Sequence, residues 1–330
     1  MCKDYLLITD THLGIKNNNE FWLDVVSDFF DSVIEYAINN NITNIIHLGD
    51  FFNDRKSLNV LTLNKGQSIC EKFKKFNLDI YIIKGNHDQY YANKTETTSL
   101  HYLSLIDNVH IVNSITEIEK DTYLIPWGLD FTHLPEDSIL MGHFEINGFN
   151  INPSGNEMKN AKINISDFKK FKQVYSGHFH AISQQKNITY IGSSIPLNFN
   201  DKNSLRGFYT YKNNHINFIP YNDSPSFIEV FSTDNFKEKS IKNNIIKFIF
   251  TEDYGTAKNQ KLLQEIYDMN PLEVHIKFFI NDEVSLDTLT ELEYIDNNEL
   301  LDMYIKEKEF PAFINKSVLL KIKDNLLNKE

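Results

Sequence analysis

Histidine, aspartate and asparagine side chains recur directly after apolar runs in this sequence, and all three residue types can bind metal ions. The candidates are Asp10, His12, Asp50, Asn86, His87, His143, His178 and His180. Carboxylate, amide and imidazole ligands without cysteine thiolates suit Mn, Fe or Zn. The pattern therefore predicts a metal site assembled from segments that lie far apart in the chain.

The number and spacing of these candidates favour two metal ions over one. A tetrahedral metal needs four ligands, and the sequence offers eight candidates. The pairs Asp10/His12 and His178/His180 have a spacing of two residues, which places both side chains on one face of an extended segment. Asp50 is central in the series, and its two carboxylate oxygens can bridge two metals. Two metals about 3.5–4 Å apart clamp the attacking and leaving oxygens of a phosphoryl transfer.

Short apolar runs precede the first three groups and predict the strands that position them. Strands are predicted at 5–9, 44–48 and 79–84, and helices at 22–38 and 58–76 lie between them. This alternation indicates an α/β sheet with parallel strands. The carboxyl ends of such strands face the crevice where ligands bind, so we expect the polar groups to meet there.

After residue 105 the predicted strands become shorter and closer together. They lie at 109–112, 123–125, 139–141, 174–176, 189–191, 207–211 and 216–219, with a long surface loop at 147–165. A second unit begins near residue 226, with strands near 227–231, 245–251 and 273–280 and a helix between the last two. The segment from about 296 predicts two helices separated by Pro311, because proline ends a helix.

Composition bounds the class of protein. The 330 residues are 41% hydrophobic, which suggests a large core and about two domains. No apolar run is long enough to span a bilayer and no signal peptide is visible, so a cytoplasmic protein is expected, in the host cytoplasm if the source is viral. The net charge of −12 lacks the basic signature of nucleic-acid binding. It does not exclude nucleic acid, since acidic metal ligands contribute to it and a local basic patch or a partner can contact phosphates.

A purely structural explanation is available for any one of the polar groups, since each could be an ordinary turn. It does not explain five groups that all follow apolar runs. The other histidines lack this context and are interpreted as core or surface residues. They are His47, His101, His110, His133, His215 and His275.

The ordered series D-x-H, G-D, G-N-H-D, G-H and G-H-x-H resembles the calcineurin-like metallophosphoesterases. Within them the chain is most similar to the SbcD-type nucleases of DNA double-strand-break repair, in particular the nuclease subunits of T-even-type phage recombination endonucleases. The matching stretches are 11–16, 125–127, 142–145, 175–180, 190–192 and 206–208. The resemblance covers residues 1 to about 220 well and the remainder in outline.

The resemblance implies a fold and a domain organisation. The expected fold class is α/β, a four-layer αββα metallophosphoesterase sandwich with a smaller α+β capping domain and a C-terminal helical pair. The implied domains are a nuclease domain at 1–225, a capping and DNA-binding domain at 226–290 and partner-binding helices at 291–330.

The resemblance also implies roles for the candidate residues. One metal would be held by Asp10, His12, Asp50 and His180, and the other by Asp50, Asn86, His143 and His178. His87 would face the scissile phosphate as an acid or charge stabiliser. Family members cut DNA with two divalent ions, manganese being expected, work as homodimers and bind an SbcC-type coiled-coil ATPase. Many cellular members have a histidine where this chain has Asn53, so the balance of exonuclease and endonuclease action is open.

Two other functions compete with a DNA nuclease. A metallophosphatase or cyclic-nucleotide phosphodiesterase could use the same core, but it would need neither the second unit nor the helical tail. A catalytically silent scaffold would be expected to lose ligands, and every matched ligand position is filled here. Cleavage of DNA compared with a chromogenic phosphate ester separates the three.

Overall fold

The computed structural model describes residues 3–91, 94–202, 204–235, 240–251 and 256–278. Its strands are β1 Tyr5–Ile8, β2 Asn44–His47, β3 Asp79–Ile83, β4 Gln89–Tyr91, β5 Lys94–Thr98, β6 Val109–Val112, β7 Thr116–Glu119, β8 Thr122–Ile125, β9 Ile139–His143, β10 Gln173–Gly177, β11 Ser183–Gln185, β12 Ile188–Tyr190, β13 Gly207–Lys212, β14 His215–Pro220, β15 Phe227–Phe231, β16 Ile245–Phe250 and β17 Glu273–Phe278. Its helices are α1 Ile15–Asn18, α2 Glu20–Asn39, α3 Val60–Lys75 and α4 Thr256–Asp268, with 3₁₀ helices at His101–Leu105, Ile165–Phe168 and Phe199–Asp201.

The first sheet is six-stranded in the order β14-β13-β1-β2-β3-β6. Strands β1, β2, β3 and β6 are parallel, whereas β13 and β14 pair antiparallel at one side. The four residues of β1 and of β2 are all buried, as expected for strands covered on both faces. The predicted alternation of parallel strands and helices over the first 84 residues is confirmed.

The second sheet is also six-stranded, in the order β11-β12-β10-β9-β8-β7, with parallel strands at its centre. It faces the first sheet across a shared core that includes Leu7, Ile46, Met141 and Tyr175. The two sheets therefore form the central layers of the predicted α/β sandwich.

Helices α2 and α3 cover the outer face of the first sheet. Phe29 and Phe30 on α2 and Phe73 on α3 are fully buried in the core beneath them. Both helices begin at an asparagine: the Asn19 side chain accepts from the amide of Phe21, and Asn59 accepts from Leu61. Over the second sheet, the described outer layer is loop structure with one 3₁₀ helix, packed around residues such as Phe131 and Phe168.

A third sheet, β15-β16-β17, is parallel and follows the predicted second unit. Helix α4 packs on one face of it, with Ile266 against Phe248 in a separate small core. This unit contacts α2 through Trp22, whose ring stacks on Phe227 at 5.8 Å between centroids. The helices predicted after 296 lie outside the described residues, and the domain limits 1–225, 226–290 and 291–330 stay predictions.

Four short strands, β4, β5, β7 and β11, are absent from the sequence-based prediction. They have three to five residues and are rich in polar side chains, so they lack the apolar alternation that marks a strand. The Asn-rich segment 147–165 is irregular, as predicted. No helix in the described part of the chain is both long and apolar enough to cross a membrane.

Candidate metal centre

The carboxyl ends of strands from both sheets meet at one place. The β1, β2 and β3 ends bring Asp10, Asp50 and Asn86 there from the first sheet, and β9 and β10 bring His143 and His178 from the second. The loops approach so closely that a Cβ on Gly85 would lie 2.2 Å from Asp50 Oδ1, and one on Gly177 would lie 2.1 Å from Thr9 Oγ1. Only glycine fits at these two positions.

The predicted ligands gather in two clusters that share Asp50. We call Asp10, His12 and His180 the first cluster, and Asn86, His143 and His178 the second cluster. Ligand atoms of the first cluster lie within 4.8 Å of one another, and the same holds for Asp50 with His143 and His178. Asp50 Oδ2 lies 3.8 Å from His12 Nε2 and 3.3 Å from His143 Nε2. All seven predicted ligands are therefore close enough to form one dinuclear site.

The second cluster directs two histidine ring nitrogens at one amide oxygen. His143 Nδ1 lies 2.7 Å from the Leu48 carbonyl, which can only accept, so Nδ1 donates and Nε2 is the nitrogen that faces Asn86 and Asp50. His178 Nε2 lies 3.5 Å from the Glu145 carboxylate, which likewise favours a proton on Nε2 and a lone pair on Nδ1. Both of these nitrogens lie 3.0 Å from Asn86 Oδ1. A divalent cation held by these three atoms would take the place of the proton that His143 otherwise carries.

The first cluster contains unpaired buried nitrogens. His12 is 4% exposed, and neither of its ring nitrogens has a hydrogen-bond partner. Burial lowers the pKa of His12 to about 3, so the ring is neutral and can offer a lone pair. Burial also lowers the pKa of His180 to about 3, with Arg206 adding to the effect. Two neutral imidazoles beside the Asp10 carboxylate fit a divalent ion.

The buried carboxylates also fit a positive charge placed between them. Within the described residues, the ion-pair partners of Asp10 and Asp50 within 4 Å are histidines. Burial raises the pKa of Asp10 to about 7, and the negative charge of Asp50 adds to the rise, whereas His143 opposes it. Burial by itself would raise the pKa of Asp50 and lower that of His143. Their mutual attraction reverses both directions, so the pKa of Asp50 falls and that of His143 rises to about 9.

Carboxylates lie behind one histidine of each cluster. Glu145 stands behind His178, and the hydrogen bond to that ring lowers the pKa of Glu145. Asp201 Oδ2 lies 3.8 Å from His180 Nδ1, which is beyond hydrogen-bond distance. A carboxylate that accepts from a ligating histidine fixes its tautomer and orientation, a role that Glu145 can fill for His178. Neither contact has a signal in the local sequence pattern.

Arg206 joins Asp201 in a buried ion pair that holds the His180 segment. Its Nη2 lies 3.1 Å from Asp201 Oδ1, and its Nη1 donates to the His180 carbonyl at 2.8 Å. The same guanidinium donates to the side chain and carbonyl of Ser193 and to the hydroxyl of Ser204. Arg206 and Asp201 are 4% and 2% exposed, so this ion pair is screened little by solvent.

Two further buried residues, Asp88 and His47, support the loops that carry the predicted ligands. Asp88 accepts from the amides of Phe51, Phe52 and Gly85 at 3.0–3.3 Å, and burial raises its pKa to about 6. His47 is a core residue, as the sequence analysis supposed, and its Nε2 lies 2.9 Å from Thr11 Oγ1 between the two ligands Asp10 and His12.

His87 is partly buried and lies beside the first cluster, where its ring and ligand atoms of His12 and Asp50 are within 4.8 Å of one another. Its Nδ1 donates to the Asn53 carbonyl at 2.7 Å, and its backbone amide donates to Asp50 Oδ1 at 2.8 Å. Its ring is 4.8 Å from that of His12. The ring is half-buried, and with Nδ1 engaged, Nε2 is the nitrogen left to carry or accept a proton.

Four of the seven predicted ligands have left-handed backbone conformations. The φ angles are 50° at Asp10, 43° at His12, 57° at Asp50 and 88° at His178. Such angles are uncommon outside glycine and concentrate at functional sites.

Residues 4–181 match the calcineurin-like phosphoesterase family. The chain belongs to this family. It is also 30% identical over 316 residues to exonuclease subunit 1 of Enterobacteria phage T4, a match that covers 91% of each chain. The predicted family, the α/β metallophosphoesterase fold and the expectation of a metal-dependent phosphoesterase enzyme are confirmed.

Two solved structures are similar to this family member. Nuclease MPE of Pseudomonas putida has 15% identity and a TM-score of 0.32, covering 66% of this chain and 87% of that one. A dimetal phosphatase from Danio rerio has 9% identity and a TM-score of 0.33, covering 63% and 91%.

Proposed function

We propose that this phosphoesterase is a DNA nuclease that works with two divalent metal ions, Mn²⁺ being the expected ion. The observation that carries the proposal is Asp50, whose carboxylate lies between the two ligand clusters with His87 beside it. The first metal would be held by Asp10, His12, Asp50 and His180, and the second by Asp50, Asn86, His143 and His178. When bound, two such ions stabilise the charge that develops on the attacking and leaving oxygens of a phosphodiester.

The protein's own residues divide the remaining work. The buried carboxylates and neutral imidazoles orient the site, and the glycine-lined loops keep it compact. His87 can place a proton or a positive charge at the scissile phosphate from Nε2, since Nδ1 is engaged by the Asn53 carbonyl.

DNA is proposed as the substrate because the relative from phage T4 is an exonuclease subunit and its match spans 91% of this chain. The same name supports a partner protein. We propose an SbcC-type coiled-coil ATPase as that partner and a homodimer of this chain as the working form. A phosphatase or cyclic-nucleotide phosphodiesterase remains the competing function.

Cleavage of end-labelled duplex and single-stranded DNA, compared with bis-p-nitrophenyl phosphate, tests the proposed reaction. With Mn²⁺, DNA should be cut at a kcat/KM far above that for the small ester, and chelation should stop both reactions. The lengths of the labelled products separate exonuclease from endonuclease action. Efficient hydrolysis of phosphomonoesters with DNA left intact would favour the phosphatase.

The partner is tested by co-expression with the ATPase. Full-length chain should co-purify with it, and a chain ending at residue 290 should not, while cutting of short DNA by the truncated chain persists. Equal retention of both chains would show that the docking surface lies elsewhere.

A further inference from the structure

A pocket of about 670 Å³ opens beside the second ligand cluster. His143 and Glu145 are among its lining residues, so the pocket adjoins the proposed dinuclear site. Trp127, Phe144 and Lys162 also line it. Its size is typical of a small-molecule site.

We propose that this pocket binds one unpaired nucleobase of the strand being cut, next to the scissile phosphate. The inference rests on the proposed nuclease function and adds the form in which DNA enters the site. Three kinds of observation support it: the aromatic lining, the charge of the walls and the position beside His143.

The aromatic lining suits a flat ring. Trp127 is half-buried, and its ring lies 5.0 Å from that of His178 and 5.8 Å from that of His143. Phe131 and Phe144, both less than 5% exposed, pack edge-to-face on each other at 5.2 Å and add apolar rings to the lining. A base that stacks on an aromatic side chain gains affinity whatever its identity, because every base has a π-face.

The charges on the walls select the base over the backbone. Asp130, Glu145 and Asp167 contribute three carboxylates to the lining, whereas Lys162 contributes one positive charge. A phosphodiester would be repelled by this balance, but a neutral base would not, and its amino or imino hydrogens can be donated to carboxylate oxygens. The phosphate then stays at the ligand clusters while the base occupies the pocket.

The position next to His143 sets a requirement on the substrate. A base inside a duplex is paired and stacked, so it must leave the helix to reach the pocket, at a cost of unpairing. Single strands and frayed ends avoid that cost. We therefore expect cutting to be faster at unpaired positions than within a closed duplex.

The test uses single-stranded oligonucleotides in which one abasic residue is moved along the sequence. With the full-length chain and Mn²⁺, one register of the abasic residue should lower kcat/KM at a single bond by about 10- to 100-fold. Trp127→Ala should lower kcat/KM on the intact strand by a similar factor. In that variant the abasic residue should cost nothing further, because ring and base act as one contact. Trp127→Phe should recover part of the loss.

Matched variants separate a binding role from a structural one. Phe76→Ala removes a 44%-exposed ring far from the pocket in sequence and should leave all rates unchanged. Thr132→Trp fills the pocket from an exposed lining position outside the ligand clusters, and it should reproduce the non-additive loss. If Trp127→Ala also loses bound Mn²⁺, the Thr132→Trp variant alone tests whether the pocket binds a base.

If the losses in kcat/KM from Trp127→Ala and from the abasic residue multiply, the pocket does not bind a base. The same holds if the abasic residue has no effect at any position. Either result would leave the proposed nuclease function standing. A wild-type chain that cuts no DNA at all would instead overturn the proposed function.

Discussion

The two ligand clusters share Asp50 but are supported in opposite ways. Behind His180 of the first cluster stands a sealed ion pair, Arg206 with Asp201, almost wholly removed from solvent. Behind His178 of the second cluster stands Glu145, whose side chain is 36% exposed and lines the open pocket. We propose that this difference reflects a division between the clusters, in which the first is held more rigidly and the second also borders the open pocket.

The largest expected effect comes from removing what the clusters share. Asp50→Asn should abolish hydrolysis, because two divalent ions would then face each other without the charge that separates them. Calorimetric titration should show the loss of at least one bound Mn²⁺. Near wild-type activity at saturating Mn²⁺ would mean that Asp50 does not bridge.

His87→Ala should reduce the rate without disturbing either cluster. A positioned acid contributes about 10²- to 10⁴-fold, so turnover should fall by that order while Mn²⁺ stoichiometry stays at the wild-type value. If Mn²⁺ is lost together with activity, His87 is itself a metal ligand.

Breaking the sealed ion pair should weaken the first cluster alone. The double change Asp201→Asn with Arg206→Met removes both charges together and leaves no unpaired buried charge, so the fold should survive. Mn²⁺ affinity in one binding step should fall by about 10- to 100-fold. The affected step should be the one that His180→Ala removes, and thermal unfolding of the metal-free chain serves as the control. Equal weakening of both steps would end the proposed division between the clusters.

Glu145→Gln should have the smallest effect and should fall on the other step. The carboxylate is partly exposed and screened by solvent, so we expect a loss of Mn²⁺ affinity near the lower end of that range, about 10-fold. The amide oxygen can still accept from His178, which limits the damage further. A larger loss than in the Arg206 double variant would reverse the ranking of the two supports.

The candidate ligands could be predicted from sequence because each follows an apolar strand and the strand ends of an α/β fold converge. The residues that support these ligands could not be predicted from sequence. Arg206 contacts His180 across 26 residues of sequence, and the pairing depends on a chain path through Ser193 that no periodicity predicts. Glu145 is only two residues from His143, yet it contacts His178, which follows a different strand. Burial and tertiary approach, not local pattern, create these roles.

The strands show the same limit of prediction from local sequence. Strands with apolar runs, such as β3 and β16, were predicted within a residue of their ends, whereas β7 and β11 were missed because their pairing partners, rather than their own side chains, hold them in place. The left-handed backbone at His12 and Asp50 likewise has no sequence signal, since neither residue is glycine.

Those backbone angles have an evolutionary consequence. Each left-handed ligand costs on the order of 1–3 kcal/mol of conformational free energy, and four of them cost a sizeable part of the stability of a typical domain. Replacement by glycine would relieve this strain at once, but it would remove the ligand. Selection for metal binding therefore has to act continuously against a drift toward a more stable and inactive chain. A descendant freed from catalysis would be expected to lose Asp10, His12, Asp50 and His178 before Asp88, whose carboxylate accepts from three backbone amides.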